Sequence, residues 1–144
     1  MVMKTILYVE DNPLDIELTL EALKENRIAN PIVVTHDGIE ALEYLRCEGP
    51  FKDRKTKNPS MILLDLKIPR MDGLEFLAIV KKDAKFKHIP VIILTSSREE
   101  KYLIKGYDLG VNAYVVKPVN FSSLIDMLKQ MVDFWLIINE LPHE

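Results

Sequence analysis

MILLDLKIPRMDG, residues 61–73, combines four unbroken apolar residues, an aspartate at 65, and the pair Asp72–Gly73 ahead of GLEFLAIV. An apolar run with no polar alternation is the mark of a strand covered on both faces, the usual state of a parallel sheet. Asp72 stands where a helix N-cap belongs, so the stretch reads as a strand, a short loop and the start of a helix. ILYV at 6–9 and VIIL at 91–94 repeat the apolar signature. Working outward, the strands are expected over Thr5–Val9, Ile32–Thr35, Met61–Leu64, Val91–Leu94 and Ala113–Val116. Asn12 before Pro13, Asp37 before GIEALEYL and Asn120 before FSSLIDML mark three further helix starts. A fourth helix is expected from Arg98 to Leu109, ended by Gly110 in a left-handed C-cap position. Five alternating βα pairs predict an α/β fold with helices on both faces of a parallel sheet.

The chain has 144 residues, the size of one ordinary domain, and nothing after the last helix that would build a second. A single domain over 1–144 without an output module is the expectation. The net charge is −3 and the basic residues are scattered, so the electrostatic footprint of a nucleic-acid binder is missing. Cys47 is the only cysteine, which excludes an internal disulfide and suits a reducing compartment. No apolar run approaches the roughly 18 residues of a membrane span, and the start MVMKTILYVEDN turns acidic too early for a signal peptide. A cytoplasmic protein with no membrane contact is expected. One segment, Cys47–Ser60, is longer than a usual connection and carries Lys52, Arg54, Lys55 and Lys57, either a partner-binding loop or a solvated excursion.

The polar residues at the strand ends carry the chemistry. Glu10 and Asp11 end the first strand, Asp65 the third, Thr95 and Ser96 the fourth, and Lys117 the fifth. In open parallel sheets ligands bind beyond the carboxyl ends of the strands, where the strand order reverses. Crowded carboxylates repel one another, and a hard divalent cation relieves that; Mg²⁺, with its few oxygen ligands and retained waters, suits two carboxylates and a carbonyl. A lysine and a hydroxyl beside them suit a phosphoryl group, which needs positioning and charge neutralisation. Asp65 is the candidate nucleophile, able to form an acyl phosphate.

ILYVEDN, LLDLKIPRMDG, VIILTSS and NAYVVKPV together resemble the signature segments of two-component response regulator receiver domains, over about Lys4 to Trp135. The resemblance implies a flavodoxin-like, doubly wound sheet of strand order 2-1-3-4-5 with five helices. It implies Asp65 as phosphoacceptor, Thr95 as switch hydroxyl, Tyr114 as aromatic switch, and Lys117 as the lysine of the site. The Mg²⁺ ligands it implies are Asp11, Asp65, the backbone carbonyl of Lys67, and Glu10 through water. Lys117–Pro118 would be a cis peptide. One departure is Lys67, two places beyond the phosphoacceptor, a position that in such receivers helps set how fast the phosphoryl is hydrolysed. Such receivers catalyse their own phosphorylation and dephosphorylation without being enzymes in the usual sense. They take phosphate from a sensor histidine kinase, and the extended loop before the third strand is similar to that of receivers serving phytochrome-type kinases.

Helix 5 carries two apolar stripes at 100° per residue, Phe121, Leu124, Ile125, Leu128, Val132 and Trp135 in one, Met127, Met131, Phe134 and Ile138 in the other. Their combined arc of about 200° is roughly twice what one packed face needs. The second stripe is therefore expected either beneath the tail Asn139–Glu144 or at a homodimer interface formed by helix 4, strand 5 and helix 5. Three other functions fit less well. A receiver-like module without phosphorylation has no need of the intact acidic pair. A Mg²⁺-dependent aspartyl-phosphate phosphohydrolase needs an aspartate where Lys67 stands. A flavin or dinucleotide protein needs a phosphate-cradling loop where EDNPLD lies.

Overall fold

The computed structural model describes residues 4–142, so the first three residues of the acidic start and the last two of the tail lie outside the described residues. Five parallel strands, β1 (Ile6–Val9), β2 (Ile32–Thr35), β3 (Met61–Leu64), β4 (Val91–Thr95) and β5 (Ala113–Val116), form one sheet in the order β2-β1-β3-β4-β5. The helices between and after them are α1 (Pro13–Glu25), α2 (Gly38–Arg46), α3 (Gly73–Lys82), α4 (Glu100–Asp108) and α5 (Phe121–Val132). This is the expected flavodoxin-like winding, and its order reverses between β1 and β3.

The unalternating strands are buried on both faces. Leu7, Val9, Ile62, Leu64, Val91 and Ile93 face α2, α3 and Val111 in one core, with Tyr114 packed against it. Ile6, Tyr8, Met61, Leu63, Ile92 and Leu94 face Ala22 and Leu23 of α1 and Leu124, Leu128 and Val132 of α5 in the other. Edge strand β5 is only half-buried along its length.

The signposted helix starts form as read. Asn12, Asp37, Asp72 and Asn120 each accept a hydrogen bond from the backbone N–H three residues on, at 3.0, 2.8, 2.9 and 3.1 Å. Gly110 follows the end of α4 with φ +96°, a conformation in which a side chain would be strained. Helix α4 starts two residues later than expected, because Ser96–Glu99 stay outside it and the Ser97 hydroxyl accepts from Glu99 N–H at 3.3 Å.

Two expectations are corrected. No cis peptide occurs among the described residues, so Lys117–Pro118 is trans, the lower-energy isomer, and Lys117 reaches its partners from that geometry. The stripes of helix 5 fail after Val132, where Asp133–Ile138 form a π-helix that advances less per residue than an α-helix. Leu136 consequently turns inward, Met131 of the second stripe is buried and Trp135 is only partly buried, while Phe134, Ile137 and Ile138 are exposed.

The Cys47–Ser60 segment is internally ordered around Arg54. Its guanidinium lies 4.5 Å from the Tyr44 ring centroid and donates to the carbonyl oxygens of Tyr44 and Thr56 at 2.9 and 2.7 Å. Arg54 thus ties the segment to the end of α2, where it also donates to the Leu45 carbonyl at 3.2 Å.

Candidate functional site

Register brings the strand-end residues together. Val9 pairs with Leu64 and Thr95 with Val116, so Glu10 and Asp65 leave adjacent strands side by side while Lys117 stands one residue beyond the β5 partner of Thr95. The Asp65 N–H donates to the Val9 carbonyl at 3.1 Å and the Lys117 N–H to the Thr95 carbonyl at 2.7 Å. Past Asp65, the chain turns tightly into α3. Gly73 donates its N–H to the Leu66 carbonyl at 2.9 Å, and a Cβ on Gly73 would meet the Leu66 Cα at 2.8 Å and press on the Asp65 carbonyl. Only glycine permits that approach.

The same loop is tied to the N-terminus of α2. Arg70, with φ +61°, donates from Nε and Nη2 to the two carboxylate oxygens of Asp37 at 2.8 and 3.1 Å, and Gly38 N–H donates to the Met71 carbonyl at 3.1 Å. Burial works against the Asp37 carboxylate, but Arg70 and the N–H groups of Glu40 and Ile39 outweigh it and hold the group below the ordinary aspartate value. The sequence marked Asp37 as a helix cap; its second task, anchoring the loop after Asp65, depends on a partner 33 residues away.

Glu10 is fully buried and its carboxylate accepts from Lys117 Nζ at 2.7 Å. Burial first, then the adjoining Asp65 carboxyl, push the Glu10 pKa up to about 7, with Lys117 restraining the rise. Burial also opposes the charge on Lys117, yet its bond to Glu10 and the nearby Asp65 hold it above the ordinary lysine value. Asp65 is half-buried and accepts from the Leu66 N–H at 2.8 Å; Asp11 is exposed at the entrance to α1. Thr95 is buried, its hydroxyl accepting from Ser97 N–H at 3.3 Å. Tyr114 donates its hydroxyl to the Ser97 carbonyl at 2.9 Å, which ties β5 to the loop that leaves Thr95. The Lys67 side chain points to solvent.

Lys117 also holds a residue that the strand-end pattern did not include: Asp15, in the first turn of α1, accepts from Nζ at 3.1 Å. Asp15 reads locally as an ordinary acid in the first turn of a helix, and no local signal marks Lys117 as its partner. Among the described residues no three His, Cys, Asp or Glu side chains are grouped as a ready-made metal cage. The carboxylates that do adjoin form a mixed site with a backbone loop and a lysine; burial first and the neighbouring Asp65 second raise the Glu10 pKa, and a cation beside them would ease the second.

Known proteins share this fold. The profile of the response regulator receiver domain matches residues 6–129. Response regulator Rcp1 of Synechocystis sp. is 38% identical over 139 residues, 96% of this chain and 93% of that protein. Its crystal structure in a Mn²⁺-bound form superposes with a TM-score of 0.86 at 38% identity, covering 97% of this chain and 99% of the other. The phosphorylated cyanobacterial phytochrome response regulator RcpA gives a TM-score of 0.90 at 42% identity, over 99% of this chain and 100% of the other. The bacteriophytochrome response regulator AtBRR is 49% identical, with a TM-score of 0.80 over 97% and 100% of the two chains. Sheet order, the strand-end residues and these matches agree: the chain belongs to the response regulator receiver domain family.

Proposed function

We propose that this protein is a single-domain phosphoacceptor that takes a phosphoryl group from a sensor histidine kinase onto Asp65 and signals by protein contact in the cytoplasm, without binding nucleic acid. The observation that carries this reading is the juxtaposition of Asp65 with Glu10, Thr95 and Lys117 at the β1/β3 switch point. An Asp65 oxygen attacks phosphorus; the new P–O bond forms as the donor's P–N bond breaks, and the donor nitrogen keeps the electron pair. Lys117 supplies positive charge for the equatorial oxygens, and Thr95 a hydroxyl within the same pole of the sheet. Asp11, Asp65 and the Lys67 carbonyl, with Glu10 beside them, would hold a Mg²⁺ ion, which would neutralise phosphoryl charge. The new oxygens draw on Thr95, and Tyr114, bonded to the Ser97 carbonyl on the same loop, passes the change to the α4–β5–α5 face.

Similarity to RcpA and AtBRR supports a kinase of the phytochrome type as the donor. Leu14 and Leu18 on α1, 62% and 37% exposed, and Val119 and Phe121 after β5 give that kinase apolar surface beside the site. Incubation with acetyl phosphate and Mg²⁺ should add one phosphoryl mass to the wild type and none to Asp65→Asn; equal gain by both would overturn the assignment.

The same reading includes a homodimer through α4, β5 and α5. Its support is the exposure of Ile104 (54%) and Tyr107 (55%) on α4, with Phe134, Ile137 and Ile138 uncovered beyond α5. Light scattering at tens of micromolar, with and without a phosphoryl analogue, should show the dimer in at least one state; monomer in both contradicts it.

A further inference from the structure

We infer that Asp15 is a positioning residue that holds Lys117 away from the phosphoryl group, so that phosphorylation requires Lys117 to be released from Asp15. The inference rests on the phosphoacceptor reading of Asp65 and deepens it.

Lys117 has three ammonium protons to place and a side chain only 14% exposed. Two of those protons are committed, to Glu10 Oε1 at 2.7 Å and to Asp15 Oδ2 at 3.1 Å. Asp15 is itself fixed: its N–H donates to the Asn12 side chain at 3.0 Å, and its carbonyl accepts from the Tyr8 hydroxyl at 3.4 Å. The backbone that carries the carboxylate is therefore held in place beside Lys117.

The two anchors differ in how easily they let go. Glu10 is fully buried, and stripping it of its cation leaves an uncompensated interior charge. Asp15 is 38% exposed, so water replaces the lysine at little cost. When an Asp65 oxygen forms its bond to phosphorus and the donor bond breaks, the acceptor side gains three oxygens, and its charge goes from about −1 on the carboxylate to about −2 on the phosphoryl group. Lys117 keeps Glu10, leaves Asp15 and turns to those oxygens. The Asp15 contact is made only before the transfer, so it stabilises the resting state and slows the reaction.

The test compares wild type, Asp15→Asn, Asp15→Ala and Asp15→Glu with phosphoramidate and Mg²⁺. The observed step is transfer of the phosphoryl to Asp65 with departure of ammonia, followed by intact mass against time. Asn and Ala should accelerate it about 3-fold to 10-fold, the scale of a partly screened ion pair. Glu, which restores the carboxylate, should return the rate to near the wild-type value. Added salt should speed the wild type and leave Asp15→Asn unchanged, because only the former has a solvent-exposed partner of Lys117 to screen, the Glu10 pair being buried in both. A purely structural role would lower the unfolding midpoint of Asn and Ala without producing either the Glu rescue or the salt contrast. Phosphorylation of the wild type with an equal or slower rate in both Asn and Ala overturns this inference alone. No phosphoryl gain in the wild type and all three variants overturns the phosphoacceptor reading as well.

Discussion

Lys117→Ala should slow phosphorylation from acetyl phosphate by about 10²-fold, the usual cost of removing one preorganised charge partner of a developing anion. Its ammonium sits between Glu10 and Asp15, close enough to Asp65 for that carboxylate to raise its pKa, and it is the one cationic side chain bonded to the cluster among the described residues. Loss of Lys117 leaves Glu10 buried without its cation, so that carboxyl takes up a proton more readily and adds no compensating charge. Arginine should not restore the rate, because a rigid planar fork does not fit a 14%-exposed slot shaped around a compact ammonium. The effect is opposite in sign to that of Asp15→Asn, and the two are coupled: Asp15→Asn should accelerate nothing in a Lys117→Ala background. The kinetics of the two single variants and the double variant settle the point, and a loss of less than about fivefold in Lys117→Ala would count against it.

In metal-free buffer, stability should fall as pH rises from about 5 to about 8, by an amount on the order of 3 kcal/mol. The cause is Glu10, whose folded pKa of about 7 exceeds the ordinary 4.5. Between those values the folded chain keeps a proton that the unfolded chain has lost, so folding is favoured at the lower pH. The contribution is fully present below the unfolded value and is lost as pH rises through the folded one. Asp37 acts in the opposite sense and elsewhere, since its lowered pKa costs stability only as the solution becomes acidic enough to protonate it. Urea unfolding across this range with a chelator present measures the slope. Glu10→Gln should flatten it; a wild-type profile already flat over the range would show that Glu10 is not the strained acid.

Much of this was legible in the sequence for physical reasons. ILYV, MILL and VIIL declared strands because a parallel sheet covered on both faces has no polar face to alternate with. Asn12, Asp37, Asp72 and Asn120 declared helix starts because a short polar side chain satisfies the orphan N–H groups there, and each does so. Glu10, Asp65, Thr95 and Lys117 leave the same edge of the sheet, where a parallel α/β fold puts its strand ends.

What the sequence hid depends on distance or on a change of period. DFWLII is apolar on nearly every side, so no periodicity reveals that the helix widens to a π-helix and turns Leu136 inward in place of Trp135. Arg54 reads as one more loop cation, yet the fold stacks it on Tyr44 and uses it to close α2. The Lys117–Asp15 pair spans 102 residues, and nothing local to either marks the other. The trans Lys117–Pro118 bond likewise reflects the local isomer preference rather than the family pattern.

The central claim is that one side chain, Asp65, carries the phosphoryl group. Borohydride reduces an acyl phosphate to an alcohol and so converts a phosphorylated aspartate into homoserine, a permanent mark readable by peptide mass mapping. After treatment with acetyl phosphate and Mg²⁺, we expect homoserine at position 65 and at no other aspartate. The mark at Asp11, at Asp15 or at several acids, with position 65 unmodified, would contradict the account.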